Sequence, residues 1–359
     1  MLKRVRIKGF KAIRDSGGVA FGKLTVFVGN NGAGKSSLIE ALETYQQINY
    51  WGIDRAMQRW HGMEHVLNKA RRIPRMSFFV STTLGQRPGR ESFKHELLVE
   101  SDHATNGYRI ERDCVNSRDV TTDAVRRDCP GLMSDDRCRA MADYVSAWQF
   151  LRMHAETMGE PIPQSRAGGG IQLAQDGSNI ADYLRELREL SIDAYDGIVQ
   201  TMSYVLPYAA DIQTAVSTEL ERKTYLQLSE SGFKLPGWML STGTLRMLAL
   251  IALLRHPKPP PLVIIEEIEN GLDPRSIHLI VEEIRNAVLG GVTQVIATTH
   301  SPYLLDLLKL DQIVLVSRNE LGEPKFFRPE SDESLRRWSA EFSPGRLYTM
   351  GAMHEAAKQ

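Results

Sequence analysis

Several things are scarce in this 359-residue sequence. It has three cysteines, Cys114, Cys129 and Cys138, and no C-x-x-C spacing, which argues against a disulfide framework or a zinc knuckle. No run of about 18 apolar residues occurs, so no membrane-spanning helix is expected. The opening MLKRVRIKGFKAI is basic but alternating, without the apolar stretch of a signal peptide. Heptads long enough for a coiled-coil arm are missing, as are internal repeats. Net charge is missing too: 44 Lys+Arg face 44 Asp+Glu. What remains is ordinary globular composition, 42% hydrophobic and 25% charged, which excludes disorder and low complexity. The length suits about two domains. A soluble cytoplasmic protein is expected, with the cysteines structural.

The zero charge conceals a split. Residues 1–100 hold 17 Lys+Arg against 8 Asp+Glu, a balance of +9, and the other 259 residues hold 27 against 36, or −9. The excess is densest over residues 55–94, through Arg55, Arg59, Lys69, Arg71, Arg72, Arg75, Arg87, Arg90 and Lys94. That stretch is a candidate track for DNA phosphates, with Trp51 and Trp60 as stacking groups. The alternatives are a solvated basic face and a hydrophobic cluster.

Alternation predicts a first strand over residues 2–7, and the apolar run at 24–28 predicts a buried parallel strand. A helix should follow over 35–47. Residues 76–84, 93–100 and 108–115, separated by Arg-Pro-Gly and Asn-Gly turns, predict an antiparallel meander. The pattern is mostly helical over 132–207, broken by Gly168-Gly169-Gly170. A hairpin is expected at 212–219 and 224–230, a helix at 245–254, and strands at 262–265, 294–298 and 312–316. Buried strands alternating with helices at both ends imply an α/β class with a parallel core. The expected organisation is a head from residues 1–131 and 208–359, with 132–207 as a mostly helical insertion.

Two motifs carry chemistry. Gly29-Asn30-Asn31-Gly32-Ala33-Gly34-Lys35-Ser36 fits G-x-x-x-x-G-K-[ST], between a predicted strand and a predicted helix. Its glycines let backbone N–H groups turn toward phosphates at a helix N-terminus; Lys35 would reach the β/γ-phosphates and Ser36 would ligate Mg²⁺. At the other motif, the apolar run 262–265 ends in Glu266-Glu267. Two carboxylates at a buried strand end are costly unless a cation meets them. In a phosphate-loop enzyme that cation is magnesium, held by Glu266, with Glu267 as general base. The bland alternative is an acidic pair at a helix N-terminus.

With these residues in view, the sequence resembles an ABC-type ATPase head of the RecF/SMC/OLD-like group, and in particular stand-alone ATPases of bacterial defence systems. Ile7-Lys8-Gly9-Phe10-Lys11 and the phosphate loop through Ser37 are similar to its first strand and Walker A motif. Leu240-Ser241-Thr242-Gly243-Thr244-Leu245-Arg246 is similar to its signature, residues 266–274 to its Walker B and D-loop, and Thr298-Thr299-His300-Ser301-Pro302 to its His switch. The resemblance implies a P-loop head with an antiparallel meander and a helical insertion, using ATP and Mg²⁺. It implies catalytic roles for Lys35, Glu267 and His300, and nucleotide contacts from Asn30, Asn31, Gly32, Ala33, Gly34, Ser36, Ser37, Gln149, Ser241, Gly243 and Asp273. Magnesium would fall to Ser36, Glu266 and Gln149, the last as the Q-loop glutamine; the competing reading of Gln149 is a polar residue on a helix. Asp176-Gly177-Ser178-Asn179 resembles a recurrent turn of the group, for which the only mechanism is helix capping by Ser178 or Asn179.

Departures exist. The signature L-S-G-G-Q reads Leu-Ser-Thr-Gly-Thr, Glu266 stands where transporters have Asp, and Ile268 replaces a commoner proline. Slow turnover is the expectation. The resemblance further implies a head-to-tail, ATP-dependent homodimer or higher oligomer, a separate effector protein, and no membrane partner. Only 59 residues follow His300, and they contain no D-x-D pair, so no Toprim nuclease is expected in cis. The alternatives are the ATPase subunit of an ABC transporter and a scaffold that binds ATP without hydrolysing it.

Overall fold

Leu24–Val28 is apolar or Thr throughout and buried at every position, as a strand covered on both faces must be. In the computed structural model it lies at the centre of the first of two units. The structure describes residues 1–70, 75–85, 89–102, 107–120, 131–165, 170–217, 221–230 and 232–358. Arg71, Arg72, Arg87, Cys129, Gly168 and Gly169 fall outside the described residues, as do parts of both meander turns.

The first unit comprises Met1–Trp148 and Gln294–Gln359. In it, Leu24–Val28 runs parallel to Gln294–Thr299 on one side and Ile313–Arg318 on the other, and Pro324–Phe327 adds an antiparallel edge. Thr299 pairs with Val28, so Leu24–Val28 and Gln294–Thr299 end at one level, whereas Ile313–Arg318, paired to Val28 through Leu315, runs three residues further. A second sheet is the expected meander. Leu2–Phe10, Arg75–Leu84, Glu91–Asp102 and Gly107–Val115 pair in sequence, all antiparallel. The helix Lys35–Trp51 buries Leu38, Ile39, Leu42, Tyr45 and Ile48, the i, i+3, i+4 spacing of an apolar stripe. Tyr45 carries that stripe into a fully buried chain: its hydroxyl meets His95 Nδ1 at 2.5 Å, and His95 Nε2 meets Asp113 at 2.8 Å. Gln294 closes the unit, accepting from Leu2 N at 2.8 Å and donating to the Leu2 and Gly22 carbonyls.

The second unit is Gln149–Thr293. Leu262–Ile265, wholly buried, lies beside the strand Trp148–Leu151. The latter strand falls within the stretch read as mostly helical; its four side chains are all buried, a pattern that a helix period cannot distinguish from an apolar strand of this length. The expected hairpin forms from Ala209–Val216 and Lys223–Glu230, and the short strands Ile162–Pro163 and Phe233–Pro236 pair with the second of these. The helix Thr242–Leu254 is buried continuously from Thr244. At its end Arg255 donates to both Glu283 oxygens at 2.7 Å and to the Gly197 carbonyl at 2.6 Å, tying it to the helices Pro274–Leu289 and Ile192–Val205.

Residues 132–207 are therefore divided, 132–148 belonging to the first unit and 149–207 to the second. The helix Ile180–Leu190 starts at Asn179, but no side chain caps it. The capping expectation is corrected: Asn179 instead accepts from Ala174 N at 2.7 Å and donates to the Gln172 carbonyl at 2.8 Å, while Ser178 N donates to Asp176 at 3.0 Å. Among the described residues, no helix is long and apolar enough to cross a membrane.

Candidate functional site

In the first unit, Leu24–Val28 and Gln294–Thr299 end level with each other, so Gly29 and His300 each follow one of a pair of facing residues. Ligands of open α/β sheets bind beyond such carboxyl ends. Residues 29–34 form a loop, and Gly34 precedes the 17-residue helix at φ 115, a left-handed conformation that favours glycine. A side chain at Gly34 would also lie 2.5 Å from Pro324. The loop is braced by the edge hairpin, where Arg318 Nε donates to the Gly32 carbonyl at 2.8 Å. Lys35 is buried, and its ammonium donates to the Gly29 and Asn30 carbonyls at 2.7 and 3.1 Å. Ala33 and Gly34 are buried, whereas Asn30, Asn31, Gly32 and Ser36 are exposed and Ser37 half-buried. The helix has no acidic residue in its first turn, so its positive end is not neutralised locally. His300 is half-buried, between Thr299 and Ser301; Ser301 accepts from Leu304 N at 3.2 Å and so caps the next helix.

In the second unit, Glu266-Glu267, the start of the helix Thr242–Leu254 and the segment before Pro274 are brought together. Glu266 N donates to the Leu151 carbonyl at 3.0 Å. A cation already at the Glu266 carboxylate is Arg152, whose Nε ion-pairs with Oε1. Sequence reasoning had assigned that compensation to magnesium and had not singled out Arg152. Glu267 is exposed, with φ 48, an unusual backbone for a residue with a β-carbon. Such strain costs roughly 1–3 kcal/mol and persists where neighbours impose it. Here the Glu267 carbonyl accepts from Asn270 N at 3.0 Å and from Arg246 Nη2 at 3.1 Å.

Arg246 also donates to the Met153 carbonyl at 3.0 Å and is only 6% exposed. Burial pushes its pKa down, opposed by the charges of Glu267 and Glu269. Its position was legible as an anomaly: it is the one charge in the otherwise apolar run 245–254. At the start of that helix, Ser241 is exposed and its hydroxyl receives Thr244 N at 3.1 Å. Gly243 is needed for close approach, since a β-carbon there would lie 2.4 Å from the Gly271 carbonyl oxygen. Asp273 caps Pro274–Leu289, accepting from Arg275 N at 2.8 Å, Ser276 N at 3.1 Å and Ser276 Oγ at 2.7 Å. Those bonds, the Ser276 hydroxyl first, hold its carboxyl below the ordinary range.

Gln149 sits on the strand Trp148–Leu151, which removes the helical reading of this residue. It is 8% exposed and gives its amide hydrogen to the Leu173 carbonyl at 2.7 Å. Among the described residues, no group of three His, Cys, Asp or Glu side chains suits a metal ion. Mg²⁺ needs none: it keeps several waters and takes one or two protein oxygens plus substrate phosphates. A single carboxylate, as Glu266 offers in the second unit, or a hydroxyl, as Ser36 offers in the first, is a donor of the kind that pattern uses.

The basic residues are arranged differently from the expected 55–94 track. Arg55 lies over the Trp51 ring at 4.1 Å, Arg59 pairs with Glu43, and Lys69 donates to the Glu64 carbonyl at 2.6 Å. Trp60 packs edge-on against Phe10 at 6.2 Å, while Trp51 stays 50% exposed. A cleft of about 600 Å³ on the meander instead gathers Arg4, Arg6, Lys8, Arg75 and Arg112. Only Arg75 of these belongs to the track. Asp15 pairs with Arg6 at 2.7 Å, and Glu96 with Arg112 at 3.5 Å.

Comparison with known proteins agrees with this architecture. Residues 1–55 match a family described as an AAA ATPase domain, and residues 174–306 one described as an AAA domain, putative AbiEii toxin, Type IV TA system. No curated protein matches the chain. Among solved structures, an SMC head bound to the C-winged helix domain of ScpA is 15% identical at a TM-score of 0.61, covering 91% of this chain and 96% of that one. An SMC head with an extended coiled coil, bound to the C-terminal domain of ScpA derived from Pyrococcus furiosus, gives 14%, 0.58, 95% and 99%. The SMC head domain from Thermotoga maritima gives 15%, 0.50, 91% and 98%. The fold is that of a P-loop ABC-type ATPase head of the SMC kind, and the two ATPase families matched support ATP hydrolysis as its activity.

Proposed function

We propose that the chain is an ATP-binding and ATP-hydrolysing switch of the RecF/OLD-like type, acting in DNA surveillance, repair or antiphage defence through a separate effector. The observation that carries the ATP reading is the phosphate loop: Lys35 is buried against the loop carbonyls at the head of a helix, at the carboxyl end of a buried parallel strand. Lys35, Ser36 and the backbone of residues 30–37 hold the triphosphate in this reading. Magnesium would be held by Ser36, Glu266 and Gln149, and when bound it would supply charge neutralisation at the phosphates. Glu267 accepts the proton of the attacking water, and His300 orients toward the γ-phosphate. The strained backbone of Glu267, fixed through Arg246, gives its carboxylate a defined direction.

Ser241 and Gly243, at an exposed helix start, cap the γ-phosphate held by a second copy, and Asp273 lies at the same face. ATP thus closes a head-to-tail homodimer and hydrolysis opens it. Nothing in the families or structures matched favours the transporter alternative. Phosphate release from MgATP tests the reading: the wild type should release phosphate slowly and Glu267→Gln should not. ATP binding without release by the wild type would leave the scaffold alternative.

DNA is a second reading, supported by the basic cleft of the meander. Its contacts would be to phosphates, so duplex binding should weaken steeply with salt. Binding that is absent, or insensitive to salt, removes it.

A further inference from the structure

Arg152 follows the strand Trp148–Leu151, and the bond from Glu266 N to the Leu151 carbonyl sets the two residues at neighbouring positions. The backbone that carries Arg152 is anchored from behind. Arg152 N donates to the Gln175 carbonyl at 2.8 Å, and His154 N to the Asp176 carbonyl at 2.9 Å. Gln149 reaches the Leu173 carbonyl at 2.7 Å. The Asp176–Asn179 turn holds that segment in place: Asp176 accepts from Ser178 N, and the Asn179 side chain bonds Ala174 N and the Gln172 carbonyl. Turn and Gln149 therefore converge on one outcome, an arginine held against the strand-end carboxylate. The two side chains are 23% and 14% exposed, so their attraction is screened less than that of a surface pair.

We infer that Arg152 is the resident cation of Glu266 and keeps a free divalent ion off that carboxylate until a nucleoside triphosphate brings the metal with it. The inference rests on the proposed role of Glu266 and adds how metal entry is regulated. A dication alone meets a fixed positive charge and a carboxylate already engaged. A metal bound to triphosphate arrives with excess negative charge, which offsets the guanidinium and supplies most of the ligands that Mg²⁺ requires. Arg152 is in this sense a positioning residue: it sets the order of binding without touching the reacting atoms.

The test is a Mn²⁺ titration by electron paramagnetic resonance without nucleotide, on wild type, Arg152→Gln, Arg152→Lys and Arg152→Gln/Glu266→Gln. Thermal melting checks that each is folded. Removing a charge a few ångströms away should tighten Mn²⁺ binding by about tenfold or more in Arg152→Gln. The gain should vanish in the double variant and in Arg152→Lys, which restores the charge. Equal binding by wild type and Arg152→Gln, or a gain that survives Glu266→Gln, overturns the inference. ATP binding by the wild type, followed separately by equilibrium dialysis, distinguishes the two failures. If ATP binds and Mn²⁺ affinity does not move, only the metal gate falls; if ATP does not bind, the parent reading falls with it.

Discussion

The phosphate loop is shaped by partners close in sequence: Lys35 bonds carbonyls six and five residues back. The acid pair is held from far away, Glu267 by an arginine 21 residues earlier and Glu266 by one 114 residues earlier. The first region is backbone geometry written in glycines. The second depends on long-range cations that the chain must bring together by folding. The contrast teaches that local motifs establish where phosphate goes, whereas the tuning of the carboxylates is a tertiary property.

Lys35→Ala should break the local side of the comparison most severely. Loss of a charged donor to phosphate costs roughly 2–3 kcal/mol or more, so ATP affinity should fall about a hundredfold by calorimetry. The melting temperature should change little by comparison.

Arg246→Met should act on the distant side. It leaves the Met153 and Glu267 carbonyls without this donor, at a cost of about 1–3 kcal/mol in urea unfolding. It also loosens the Glu267 backbone, so phosphate release should fall more than ATP affinity does. An equal loss in both would place Arg246 outside the acid pair's support.

Asp273→Ala should have the smallest effect, about 1 kcal/mol for a lost helix cap. The folded carboxyl titrates below its ordinary 3.8, so its contribution is present at neutral pH. It fades as pH falls from that value through the lower folded one. The stability gap between wild type and variant, from denaturant unfolding, should therefore close in acid and stay constant above about pH 5.

Much of the fold was legible in the sequence for the same reason that the loop was. Leu24–Val28, Leu262–Ile265 and the alternating meander strands advertise their burial directly. Trp148–Leu151 was not, because four apolar-leaning residues next to helical segments fit either period. The Asp176–Asn179 turn was visible, but its purpose was not, since the Asp176 carbonyl serves His154, the Asn179 side chain serves 172–174, and the following helix is left uncapped. Lone Arg246 in an apolar run was the clearest missed signal. Arg152 gave almost none, because a charge just past a strand end is commonplace until the facing carboxylate is located.

The central claim is that ATP closes two copies of this chain. Sedimentation velocity of Glu267→Gln, with and without MgATP, tests it most directly. A shift from about 40 kDa to about twice that mass on adding MgATP is expected, and it should be abolished by adding Lys35→Ala. A sedimentation coefficient unchanged by MgATP, in a variant shown to bind the nucleotide, would contradict the account.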